Sequence, residues 1–174
     1  MFAVGSIALL ASVASAEDLG EEGQIVISND VTFGAVGPSS ASAQIDHHFH
    51  HGHGGDGGKG TVFSLQPAFD YFIAGPLSVG GAIVLDNFGE KLGVGLGGRV
   101  GYALPVGPLV FWPKAGIQLY HKSDWDVLTF DVVAPFAYSP AEHFFIGLGP
   151  KLSVQLTEGS NTNLGIVSSI GGYF

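Results

Sequence analysis

Three observations predict an all-β chain, an eight-stranded antiparallel up-and-down transmembrane β-barrel preceded by an N-terminal signal peptide. Apolar residues alternate with small or polar ones through eight stretches of ten or more residues, and a period of two is the side-chain repeat of a strand. Every charge inside those stretches falls on the row of smaller residues, and none on the aliphatic and aromatic row. The composition is 46% hydrophobic and 12% charged with 28 Gly. Even so, beyond residue 16 no apolar run reaches the roughly 20 residues that a membrane helix takes. A chain this apolar without helical spans points to strands facing lipid.

The ends bound the domain. Residues 1–16 (MFAVGSIALLASVASA) are apolar and uncharged and close on Ala14-Ser15-Ala16, which reads as a secretory signal with an A-x-A cleavage site. The stretch is too short to span a bilayer as a helix. It lacks a basic n-region, so the true start is expected upstream, or Met1 is a misassigned initiator. Residues 17–23 form an acidic lead containing Glu17, Asp18, Glu21 and Glu22. Residues 24–174 suit a single domain. The absence of Cys removes disulfides and thiolate metal sites. A net charge of -9 argues against nucleic acid, which needs a basic footprint.

Each strand follows from its own alternation. Over 24–36, Ile25, Ile27, Asn29, Val31, Phe33 and Ala35 oppose Val26, Ser28, Asp30 and Thr32. Residues 37–60 break every period with Gly, Ser and His, which makes a long loop. Over 61–74, Phe63, Leu65, Pro67, Phe69, Tyr71 and Ile73 oppose Gln66, Asp70 and Phe72, and Gly75-Pro76 then makes a tight turn. Strands follow at 78–87, 92–103, 108–120, 127–139 and 144–156; in the last of these Phe144, Ile146, Leu148, Pro150, Leu152, Val154 and Leu156 form an unbroken apolar row. The final strand, 162–174, sets Leu164, Ile166, Ile170 and Phe174 on one face and Tyr173 on the other. Short turns (75–77, 104–107, 140–143) alternate with longer or more charged loops (37–60, 88–91, 121–126, 157–161), the asymmetry of a membrane barrel. An even strand count places both termini on the short-turn side.

Alternation alone does not separate a membrane barrel from a soluble, lipocalin-like one, because each has one apolar and one polar face. The charges decide between them. Asp30, Asp70, Asp86, Arg99, Lys114, Asp131 and Lys151 share the smaller-residue face, too sparse for a solvent surface but suited to the filled interior of an eight-stranded barrel. Buried charges must be paired. The expected network sets Asp131 between Lys114 and Lys151, and Arg99 against Asp70. As a plug this network satisfies the lumen; as a relay it would make an ion path, and a small barrel that fills itself favours the plug. Tyr71, Tyr102, Tyr138, Phe144 and Phe174 gather at one set of strand ends and Phe33, Phe63, Phe88 and Trp125 at the other, as interfacial girdles do. Pro67, Pro113, Pro135 and Pro150 fall inside strands, where each removes a ladder donor, and bulges are expected to absorb them. Asn29, on the lipid-facing row, calls for a bulge that shifts the register there.

One loop carries chemistry. In DHHFHHGHGGDGGKG, Asp46 to Gly60, His47, His48, His50, His51 and His53 supply five imidazoles, with Asp46 and Asp56 as possible oxygen ligands. Neutral imidazole binds Zn, Cu and Ni. The spacing fits no rigid motif, so it indicates capacity to bind a metal without a defined geometry. No catalytic constellation emerges, since His121 and His143 lie in connections at opposite ends of the barrel.

The last strand resembles the closing strand and assembly signal of bacterial outer-membrane β-barrels. It ends on Phe174, carries Ile170 on the same face and Tyr173 on the other, and has Gly172 where such strands usually place an aromatic. The whole mature length resembles the small eight-stranded outer-membrane barrels of the OmpA and OmpX kind, and the stretches FSLQPAFDYFIAGPLSVGG and HFFIGLGPKLSV look like bacterial outer-membrane β-barrel proteins known only by their fold. The resemblance implies a monomer in the outer membrane of a Gram-negative envelope. Its partners would be outer-membrane lipid, the barrel-assembly machinery and periplasmic chaperones, and it would have no catalytic residue. The function expected is a non-enzymatic, closed barrel with a structural or surface-display role. The alternatives are a metal-capturing surface protein that uses the His-rich loop, or a narrow pore.

Overall fold

A strand presents a row of N–H and C=O groups on each edge, and in a sheet the rows are all paired only when the last strand meets the first. The computed structural model, which describes residues 19–35, 63–87, 92–122, 125–157 and 162–174, meets that condition. The strands are β1 (Ile25–Ala35), β2 (Phe63–Ala74), β3 (Leu77–Asn87), β4 (Leu92–Tyr102), β5 (Leu104–Val106), β6 (Leu109–Phe111), β7 (Lys114–Lys122), β8 (Trp125–Val133), β9 (Phe136–Ala141), β10 (Phe144–Gln155) and β11 (Thr162–Tyr173). Every pairing is antiparallel, and β11 pairs with both β10 and β1. The described residues therefore form a closed barrel of eight spans, in which β5 continues β4, β7 continues β6 and β9 continues β8.

The spans that the sequence presents as continuous over 108–120 and 127–139 are each interrupted, at Trp112-Pro113 and at Ala134-Pro135. No bulge is involved. Val110 pairs with Ala137 on one side of the break and Lys114 with Val133 on the other, in the same register. The ladder skips the positions where Pro has no donor and then resumes. Carbonyls of the prolines stay in use: Tyr102 N donates to Pro113 O (3.0 Å), Trp112 N to Pro135 O (2.9 Å) and Ala134 N to Pro150 O (3.0 Å). Three prolines on adjacent spans thus line up as acceptors. Pro67 behaves alike towards β3, where Leu65↔Leu85 is followed by Ala68↔Ala82. Nor does a bulge shift Asn29. The β1–β11 register is regular from Val26 to Phe33 and shifts only between Phe33 and Ala35, so Asn29 stays on the outer row, with its Oδ1 buried and unpartnered.

Alternation sorts the two faces for the charged positions at mid-span whose burial is described, and the exposed Asp126, at the loop end of β8, is the exception. Leu96 is 67% exposed and Leu148 60%, with Ile27, Phe69, Ile83, Ile117 and Ile166 also outward. Asp30, Asp70, Lys114, Asp131 and Lys151 are buried. This inverts a water-soluble protein and is the distribution expected of a barrel solvated by hydrocarbon.

The interior is layered. At the short-turn end Val26, Phe72, Ala103, Val110, Trp112, Ala137, Phe145 and Tyr173 form an apolar cluster. Trp112 stacks on Phe72 (centroids 5.5 Å apart) and meets Phe145 edge-on (6.1 Å), arrangements that add about 0.5–1.5 kcal/mol each beyond burial. Leu19, from the acidic lead, joins this cluster. The lead is tied down by Gly20 N donating to Gln24 Oε1 (2.8 Å) and Gly23 N to Phe72 O (2.8 Å).

Gly101 leaves the space that Lys114 and Trp112 occupy. A Cβ there would lie 2.8 Å from both Lys114 Cγ and Trp112 Nε1 and 2.7 Å from Ser78 Oγ. Gly101→Val is therefore expected to destabilise the barrel by about 1–3 kcal/mol, the usual cost of overpacking. Urea titration of vesicle-embedded protein measures it, and an unchanged midpoint would contradict this packing.

Candidate functional site: the lumenal charge network

Six spans each deliver one charged side chain into the lumen, because the inward row of each strand carries a single ionised residue at mid-height. Asp30 comes from β1, Asp70 from β2, Arg99 from β4, Lys114 from β7, Asp131 from β8 and Lys151 from β10. Asp86 belongs to β3, and its side chain lies outside the described residues.

Arg99 is the hub. Its Nε donates to Asp70 Oδ1 (2.8 Å), its Nη2 to Asp70 Oδ2, and its Nη1 to Asp30 Oδ2 (2.7 Å). The guanidinium fork thus grips Asp70 with two bonds and Asp30 with a third, the geometry in which Arg outperforms Lys. Ser169 Oγ donates to Asp30 Oδ1 (2.5 Å), so both oxygens of Asp30 are engaged. Lys114 Nζ stands 3.7 Å from Asp30 Oδ2 and 4.2 Å above the centre of the Trp112 ring, a cation–π contact that joins the charge layer to the aromatic layer. Trp112 Nε1 in turn donates to Ser78 Oγ (3.2 Å). Lys151 Nζ lies 3.5 Å from Asp131 Oδ2.

The pairing expected on Asp131 is thereby corrected. Asp131 meets Lys151 but not Lys114, which turns to Asp30 on the far wall. Register does not separate the two lysines, since Lys114 and Lys151 both stand opposite Val133, two residues along from Asp131; what differs is that Lys114 stands over the Trp112 ring and beside Asp30. The lumen of an eight-stranded barrel is only as wide as its side chains, so Lys114 can reach Asp30 on the opposite wall. Sequence reasoning also missed Ser169, Gln66, Gln118 and Trp112 as members of the layer. Their position on the inward row was the available signal.

The space left between these groups is a cavity of about 20 Å³ lined by Asp30, Gln66, Arg99, Lys114, Asp131 and Lys151, among others. Its lining holds no His, Ser or Thr to serve as base or nucleophile. Among the described residues three carboxylates face three cations, so these six groups can neutralise one another and brace the walls. His121 pairs with Asp126 (2.7 Å) at the loop end and His143 with Glu142 (3.5 Å) in the β9–β10 turn, at opposite ends of the barrel. Among the described residues no group of three or more His, Cys, Asp or Glu is placed to hold a metal ion. His47, His48, His50, His51 and His53, the residues expected to capture Zn, Cu or Ni, lie outside the described residues.

At the closing strand Ile170 and Phe174 point outward and Tyr173 inward. Phe174 exchanges two backbone hydrogen bonds with Ile25 (2.9 Å each) and stacks on His143 (6.3 Å). The outward aromatics Tyr71, Tyr102, Phe144 and Phe174 occur at the short-turn end; the side chains of Phe33, Phe63, Phe88 and Trp125 lie outside the described residues.

No protein-family model matches the sequence, and no curated protein matches it either. Among solved structures, the Yersinia pestis outer membrane protein Ail, determined as a backbone structure in a phospholipid bilayer nanodisc, is similar over 88% of this chain and 100% of that chain, with a TM-score of 0.48 and 9% sequence identity.

Removing the hub strands two buried carboxylates. Arg99→Met is expected to cost about 3–5 kcal/mol, the range for breaking a buried ion pair from one side. Arg99→Met combined with Asp30→Asn and Asp70→Asn is expected to recover part of that loss. Urea unfolding in vesicles reports both, and a single variant within 1 kcal/mol of the parent, a margin on the order of an exposed pair, would remove Arg99 from the centre of the network.

Proposed function

We propose that this protein is a non-enzymatic outer-membrane β-barrel whose lumen is closed by its own side chains, and which serves the envelope structurally or displays its longer loops to partners outside the cell. The observation that carries this reading is the joint placement of an apolar exterior and a self-neutralised, filled interior. A pore would need a continuous wet path, and the lumen instead stacks a charge layer over a layer of aromatics. An enzyme would need a base, a nucleophile and a cleft, and the buried carboxylates are already committed to Arg99 and Lys151. On this reading the short turns face the periplasm, the longer loops face outward, and outer-membrane lipid is the principal partner.

The test has two arms. Density-gradient fractionation of cells expressing the full chain is expected to recover it with the outer membrane, in a form whose gel migration shifts on heating; recovery in the soluble fraction would overturn the membrane reading. Planar-bilayer recording of the purified barrel is expected to give no stable conductance steps. Reproducible steps from the folded protein, abolished by heating, would overturn the closed lumen while leaving the location intact.

A further inference from the structure

The charge network is incomplete at one place. Lys114 Nζ and both carboxylate oxygens of Asp131 are buried, and no hydrogen-bond partner reaches any of the three. The nearest opposite charges stand at 3.7 Å for Lys114 and 3.5 Å for Asp131, ion-pair distances without a hydrogen bond. Orphaned buried donors and acceptors are rare and cost roughly 1–3 kcal/mol each, more when charged. Here the unpartnered groups line the same cavity of about 20 Å³. That volume exceeds the roughly 10–15 Å³ needed to admit one water and is far short of a channel.

We infer that this cavity is a binding site for a single structural water, which accepts hydrogen bonds from Lys114 and Lys151 and donates to Asp131. Charge balance selects water over a halide or an alkali cation. Among the described residues Asp30, Asp70 and Asp131 cancel Arg99, Lys114 and Lys151, so an ion beside these six would add an uncompensated charge to a low-dielectric interior. The ammonium groups have only donors and the carboxylate only acceptors, and water is the smallest molecule that serves both. The consequence is a continuous belt. The Asp70–Arg99–Asp30 group, with Lys114 beside it, is otherwise separate from the Asp131–Lys151 pair. The bridging water joins the two, tying β1, β2, β4 and β7 to β8 and β10 across the lumen.

Crystals of the folded full barrel, grown from bromide and measured at a resolution that places waters, test this directly. The expected result is one ordered peak of water-like density within about 3.2 Å of Lys114 Nζ and of an Asp131 oxygen, with no anomalous bromide signal. In Lys114→Met, shown to be folded by its heat-shifted migration, the occupancy of that peak is expected to fall by more than half. Three results would overturn the site: a bromide peak in the cavity, direct contact between the Lys114 ammonium and the Asp131 carboxylate with the cavity closed, or density without an ordered peak. Full occupancy retained in Lys114→Met would remove Lys114 as its ligand.

Discussion

The pairing of β1 with β11 is the constraint from which the remaining features follow. Its register runs from Val26↔Tyr173 to Phe33↔Ile166, and without it two strand edges would face the surroundings unpaired. In hydrocarbon each such group costs several kcal/mol. Closure fixes the alternation, because in a closed sheet every side chain points either to the lumen or away from it. At mid-span the outward set is then limited to uncharged groups, so the ionised residues there are forced inward. Once inward they must compensate one another, since an isolated buried charge is not sustainable. The network around Arg99 is thus a consequence of closing the sheet in an apolar solvent, and its geometry need imply no separate chemical task.

The filling of the lumen is graded. Aromatic and aliphatic side chains seal the short-turn end, with Leu19 folded back from the lead to complete them. Lys114 ties that layer to the charges above it by standing over Trp112. Small residues set the spacing: Gly101 makes room for Trp112 and Lys114, and a Cβ at Gly116 would lie 2.9 Å from Arg99 Cβ. Bulky residues therefore sit where the neighbouring span offers none. This is how an interior only as wide as its side chains is filled without strain.

The face on which each residue lies was legible from the sequence, because a period of two is exact and a slip by one residue would invert every span. The charged row that sets the interior was legible for the same reason, and the pairing of Arg99 with Asp70 followed from their shared row. The partner of Lys114 was not legible, because contacts across a lumen depend on register and barrel width, which no single strand encodes. The prolines show a second limit. A missing N–H announces a lost ladder bond, but a bulge and a skipped pair read alike until the register on both sides is known, as at Trp112-Pro113 and Ala134-Pro135. Leu19 was hidden by its setting, a lone apolar residue among acidic ones without period. Asn29 stays on the outer face, and its buried Oδ1 has no partner to account for it.

The claim beneath all of this is that the aliphatic row of each span touches lipid. The chain has no native Cys, so single nitroxide labels can be introduced one at a time at Ile117, Leu148 and Ile166 on the outer row and at Gln118 and Val167 on the inner row, in lipid vesicles. Labels at the three outer positions are expected to collide freely with dissolved oxygen and hardly at all with a water-soluble relaxation agent, while labels at the two inner positions, where they fold, are expected to be shielded from oxygen. Outer-row labels that relax with the aqueous agent, as on a water-soluble barrel, would contradict it.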